Sequence, residues 1–186
     1  MQDFFIEQMA MYSSYHRDPR NKLTHFIGVP SIAFALMLAM ALLPLGSFDG
    51  LNITLATLFY VSVSLYWIML DRPIGIVTAL VHLPLYLIAA WLAETRPAGD
   101  VWILFAIFFF GGWVFQLLGH VFEGRKPALA DNLLQIFIAP SFLTAEVFFL
   151  LGLRKNIADA VEARWRDFLP GNDGKAETGK PAGAAE

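Results

Sequence analysis

Residues 101–123 read VWILFAIFFFGGWVFQLLGHVFE, an apolar run through Gly119 interrupted only by Gln116, and then His120 and Glu123. A stretch this long and this apolar is what a helix needs to cross a hydrocarbon core, roughly 20 residues at 1.5 Å each. Its polar residues gather at one end, so the chemistry it carries belongs at one membrane face. Three further stretches have the same character: 23–43, 51–70 and 74–93, with 101–119 as the fourth. Between them the punctuation is short: Pro44-Leu45-Gly46, Asp71-Arg72-Pro73, and residues 94–100 with Pro97 and Gly99. A fifth apolar stretch, 132–153, contains Gln135, Pro140 and Glu146. Proline removes a backbone donor and kinks a helix, so this segment reads as a span, a kinked span or a re-entrant hairpin.

Composition agrees. Of the 186 residues 57% are apolar and 16% charged, against about 25% charged in soluble domains. The net charge of −3 and the lack of a basic stripe exclude a nucleic-acid partner. With no cysteine, the chain has no disulfide, no thiolate ligand and no thioether-linked haem. The first 22 residues lack the basic start and apolar core of a cleaved signal, so the first span is expected to act as the targeting signal.

Charge then orients the chain. With the N-terminus in the cytoplasm and four crossings, Arg96 alone among the thirteen basic residues lies outside, provided that segment 132–153 re-enters. The expectation is therefore an all-α integral membrane protein: four transmembrane helices plus a Pro-broken fifth segment that re-enters or spans. Amphipathic interfacial helices are expected at both ends, over residues 3–15 and 157–168. Residues 1–169 form one membrane-embedded catalytic domain and 170–186 a disordered tail. A bacterial inner membrane or an endoplasmic reticulum would suit it, with both termini and the site on the cytoplasmic side.

That topology brings His16, His25, His120 and Glu123 to the same face, where imidazoles and a carboxylate can hold a borderline metal ion. Pro19 stops the first helix and Asn21 is a good cap for the second, with His25 one turn on. Gln116, His120 and Glu123 are spaced by four and three, which lines them along one helix face if the helix runs past Gly119. His82 lies nine residues into the third span, roughly 13 Å deep, and should face the bundle interior as a ligand or as a hydrogen-bonded neutral imidazole. Each of these has a plainer reading. A lone histidine is more often a satisfied polar residue, and Glu123 can pair with Arg125 or Lys126. Asp131-Asn132 reads as a helix cap, and Glu146 as the partner of a polar group such as Gln116. Phosphate loops, dinucleotide loops and serine elbows do not occur.

The stretch Tyr15-His16-Arg17-Asp18-Pro19-Arg20-Asn21, with His25 and Pro30, resembles the opening of a small membrane-protein family. One characterised member of it is the fungal 2-hydroxy fatty acid dioxygenase of phytosphingosine breakdown. The second half is similar too: Gly112-Trp113, Phe115-Gln116, Gly119-His120, Phe122-Glu123, Arg125-Lys126-Pro127-Ala128-Leu129, Asp131-Asn132-Leu133, Gln135, Ala139-Pro140 and Glu146. The likeness runs across residues 8–153.

The resemblance implies an Fe(II)-dependent α-oxidation in which a 2-hydroxy fatty acid loses its carboxyl carbon to O2. On that reading His16, His25 and His120 ligate iron, with His82 as a fourth candidate. Asn21 and Glu123 act at the reacting centre, with Glu123 orienting or ligating. Gln116, Asp131 and Asn132 support the ligands, and Arg17, Arg20 or Lys22 attracts the substrate carboxylate. Zinc is the alternative ion in a purified sample, because imidazole suits both. Membrane lipid and the 2-hydroxy acid with O2 are the expected partners. Rival readings are a membrane b-type haem protein with paired histidines and a non-enzymatic scaffold or transporter.

Overall fold

The computed structural model describes residues 1–124 and 135–169. In chain order the elements are α1 (Gln2–Ser14), α2 (Pro19–Ala41), β1 (Pro44–Phe48), β2 (Leu51–Thr54), α3 (Leu55–Leu70), α4 (Arg72–Thr95), α5 (Ala98–Glu123), α6 (Gln135–Leu150) and α7 (Lys155–Arg164). A 3-10 turn, Trp165–Phe168, follows α7. Among the described residues three helices, α2, α4 and α5, are long and apolar enough to cross a membrane. Their outer sides carry exposed Leu80, Leu87, Trp91, Ile103, Ile107 and Phe110, the surface that a lipid solvent requires of a helix whose backbone bonds are satisfied internally.

The segment expected to span from residue 51 is shorter than its apolar run. Leu51–Thr54 pairs with Pro44–Phe48 as an antiparallel hairpin, turned through Asp49 and Gly50, both at positive φ. Asp-Gly is the preferred two-residue loop of such hairpins, since both positions need left-handed backbone. Thr54 then starts α3: its hydroxyl accepts from Thr57 N, and Thr57 answers Thr54 N. What remains for α3 is 16 residues, about 24 Å of helix.

Two further boundaries differ from expectation. The cap of α2 is Asp18, not Asn21: its carboxylate accepts from Arg20 N, and Pro19 takes the first helical position, where its missing N–H costs nothing. The Arg20 hydrogen bonds hold the Asp18 carboxyl at about 2. The break in the fifth apolar segment is not at Pro140, which lies inside α6. It falls at Gly152 and Arg154, both at positive φ, and the chain turns there through 113° into the α7 region.

The end helices pack one side against the bundle. Phe5, Met9, Ala10 and Tyr12 of α1 are buried against Ile138, Phe142 and Ala145 of α6 and against Ile157 and Val161 of α7. A half-buried ion pair, Arg154 with Asp71, ties the turn before α7 to the α3–α4 junction. Residues 170–186, expected as a tail, and Asp131 and Asn132 lie outside the described residues.

Among the described residues the most extensive helix packing is α2 against α5, and glycine makes it possible. A Cβ on Gly112 would meet Ile32 Cγ1 at 2.7 Å and the Gly28 carbonyl oxygen at 3.0 Å. At Gly119 a Cβ would come within 2.3 Å of Thr24 Oγ1 and 2.4 Å of Asn21 Oδ1. Small residues let membrane helices approach this closely, and here the approach brings His25 and His120 together.

Candidate metal centre

Three imidazoles converge where α1 ends, α2 begins and α5 ends. His16, His25 and His120 are 2%, 3% and 7% exposed. Their ring centroids form a triangle with sides of 4.5, 5.1 and 5.1 Å. Each offers a ring nitrogen, and these nitrogens lie within 4.8 Å of one another.

The hydrogen bonds fix two of the tautomers. His16 Nδ1 donates to the Tyr12 carbonyl at 2.7 Å and His25 Nδ1 to the Asn21 carbonyl at 2.9 Å. A carbonyl only accepts, so each Nδ1 carries its hydrogen and each Nε2 is a bare lone pair. Those two lone pairs face each other at 3.1 Å. Facing lone pairs repel, and a cation between them removes the conflict. His120 Nδ1 adds a buried nitrogen with no hydrogen-bond partner. Burial first, and the adjacent His25 ring second, push the His16 imidazole well below its ordinary value, so it is neutral and able to ligate. Three neutral, buried imidazoles fit a borderline ion such as Fe(II) or Zn(II).

The groups around the triangle lock it. Both oxygens of Glu123 accept from Arg17 N at 3.0 Å, and Oε2 also accepts from Asp18 N at 2.8 Å and from Asn21 Nδ2 at 3.0 Å. Glu123 is therefore committed to the backbone that carries His16, and it is not in the imidazole group. Asn21 Nδ2 also donates to the Tyr15 carbonyl at 3.1 Å. This one asparagine joins the α1–α2 connection to the first turn of α2, while its own carbonyl orients His25. Such partners of metal-ligating histidines set ring orientation and basicity. Tyr12, which the sequence reading did not single out, stacks on His16 with centroids 3.8 Å apart and planes 11° apart. The signal was available as the i, i+4 spacing of 12 and 16.

Other expected members stand elsewhere. His82 is buried and donates from Nδ1 to the Thr78 carbonyl at 2.8 Å. It packs against Trp67 and is not in the imidazole group; its Nε2 is buried without a hydrogen-bond partner. The basic residues expected at a substrate carboxylate are engaged with acids. Arg17 pairs with Glu162 at 2.9 Å, Arg20 with Asp18 at 2.7 Å and Lys22 with Glu146 at 2.7 Å, which also replaces Gln116 as the partner of Glu146. None of the three lines the cavity beside the imidazoles.

That cavity, about 330 Å³, has an almost wholly apolar wall. Tyr12, His16, His25 and His120 line one end of it, and Gln116 stands one turn from His120 with a buried, unpartnered Oε1. The arrangement is a polar head of imidazoles on an apolar chamber, suited to an amphiphile with a short polar group.

The family model described as 2-hydroxy-palmitic acid dioxygenase Mpo1-like matches residues 2–151. The 2-hydroxy-palmitic acid dioxygenase MPO1 of Saccharomyces cerevisiae is 33% identical over 157 residues, a match covering 83% of this chain and 86% of that protein. No solved structure matches. All three clustered histidines fall inside the matched region, and the chain belongs to the Mpo1-like family.

Proposed function

We propose that this protein is an Fe(II)-dependent 2-hydroxy fatty acid dioxygenase, with His16, His25 and His120 holding the metal. The observation that carries the reading is the pair of bare Nε2 lone pairs facing each other at 3.1 Å at the head of an apolar cavity. The activity for which the yeast relative is named supplies the substrate class.

The balance is R–CH(OH)–COOH + O2 → R–COOH + CO2 + H2O. The C1–C2 bond breaks, C1 and C2 together give up four electrons, and O2 takes them. When bound, the ion supplies O2 activation and a Lewis-acid anchor for the carboxylate and 2-hydroxyl. The residues supply the rest. The Tyr12 and Asn21 carbonyls keep hydrogen on each Nδ1 and so leave each Nε2 free to ligate. Gln116 Oε1 is a ready acceptor for the 2-hydroxyl proton, which would favour 2-hydroxy acids over plain ones. The apolar wall excludes water from the acyl chain and the cleaved bond.

Topology belongs to the same proposal. Helices α2 to α5 cross, with the 16-residue α3 completed by the hairpin at the outer interface. The α6–α7 pair bends back at the inner one, leaving the imidazoles and both termini on the cytoplasmic side. The test is anaerobic Fe(II) loading followed by 2-hydroxypalmitate and O2. The expected product is the fifteen-carbon acid, and it should disappear in His120→Ala. Loaded protein that leaves 2-hydroxy acids untouched overturns the proposal, and a Soret band would move it to a haem protein.

A further inference from the structure

The cavity is long as well as apolar. Along α2 its wall is formed by His25, Val29, Ile32, Leu36 and Met40 among others, spaced by four, three, four and four, which is one face of a helix. From residue 25 to residue 40 this face covers roughly 22 Å at 1.5 Å per residue. The opposite wall runs the other way. Leu55 N donates to the Leu43 carbonyl at 2.9 Å, so α3 starts where α2 ends, and Phe59 and Tyr60 stand at the far end of the cavity.

That far end is fixed. Tyr60 Oη donates to the Ala79 carbonyl at 3.0 Å, and its ring stacks on Tyr86 at 4.9 Å with planes 6° apart. Tyr86 is held in turn by a 2.9 Å hydrogen bond with Thr57. A chain entering from the imidazoles therefore runs along the α2 stripe and meets Met40 beside an immobilised tyrosine.

We propose that the α2 stripe ending at Met40 and Tyr60 is an acyl-chain gauge, which sets the length of the 2-hydroxy acid that this protein accepts. An extended hydrocarbon advances roughly 1.25 Å per carbon, from bonds near 1.5 Å and angles near 111°. A 22 Å path thus holds about sixteen to eighteen carbons with C1 and C2 at the imidazoles. Leu36 is four residues short of Met40, about 6 Å or five carbons up the path. This assignment rests on the fatty-acid reading of the site.

The experiment uses full-length protein in lipid nanodiscs, wild type beside Leu36→Trp and Met40→Ala. Two readouts are taken over saturated 2-hydroxy acids of ten to twenty-four carbons. One is equilibrium displacement of bound parinaric acid, and the other is turnover by the Fe(II)-loaded protein. Leu36→Trp should move the displacement optimum down by about four carbons or more, lowering the preference for eighteen over twelve carbons at least tenfold. Met40→Ala should move it up by about two carbons, so the gauge stays testable if the tryptophan variant does not fold. A displacement optimum that both folded variants leave in place, or a wild type indifferent to length, overturns the gauge whatever the turnover. Shifted displacement without turnover in the wild type upholds the gauge and overturns the dioxygenase reading instead.

Discussion

A carbonyl oxygen one turn back decides what each clustered histidine can do. Because the Tyr12 and Asn21 carbonyls take the Nδ1 hydrogens, His16 and His25 present lone pairs to each other, while the Nε2 of His82, with the same kind of carbonyl bond on Nδ1, is buried without a partner and stands outside the imidazole group. Alanine at 16, 25 or 120 should therefore weaken metal binding more than roughly 100-fold, beyond the 10–100-fold typical of groups that only hold ligands in place. His82→Ala should keep the wild-type stoichiometry; metal analysis of the four purified variants checks both. Glu123→Gln belongs with the positioning groups. It sets an amide against backbone donors, so it should lose about 1.5–3 kcal/mol of stability through its charged hydrogen bonds and roughly 10–100-fold in metal affinity. A thermal melt and a metal titration read these, and unchanged values would remove Glu123 from the account. At this scale the convergence of His16, His25 and His120 was legible, because counting crossings puts them on one face. His82 was not, because depth in a span does not say which neighbour its free nitrogen meets. The acids that Arg17, Arg20 and Lys22 face were not legible, because a sequence lists cations without showing their partners.

Glycines 112 and 119 hold the α2–α5 pair close enough for His25 and His120 to share an ion. Gly119→Ala should separate them, since its Cβ would lie 2.3 Å from Thr24 Oγ1 and 3.1 Å from His25 Nδ1. Overlap of this kind typically costs about 1–3 kcal/mol, and metal binding should fall with it. Gly111→Ala is the internal comparison. A Cβ there meets nothing within 4 Å, so the variant should be neutral or gain up to about 1 kcal/mol of helix propensity. Melting temperatures of the pair decide the matter, and equal losses would show that helix packing is not what places the imidazoles. Element types were largely readable from apolar run length, but boundaries were not. Asp49-Gly50 announced a hairpin that the apolar count of 51–70 concealed. Pro140 was read as a break, although α6 carries it and the chain turns only at Gly152 and Arg154.

Across the whole molecule, one fold brings three imidazoles together beside an apolar cavity. An N-terminal helix buried on Phe5, Met9 and Tyr12 sets the end of α1 over the α2–α5 pair, and the site is complete only when all three helix ends meet. Metal should accordingly stabilise the folded chain as any ligand of the native state does, by about 2.7 kcal/mol at one hundred times its dissociation constant. Chelation should lower the melting temperature of the wild type and leave His120→Ala unaffected. The central claim is the three-histidine ion, and its most direct measurement is iron stoichiometry with an optical spectrum after anaerobic Fe(II) loading, wild type beside His120→Ala. About one iron per wild-type chain, no Soret band, and loss of the iron in the variant are expected. An iron-free wild type, or a variant that keeps its iron, would contradict it.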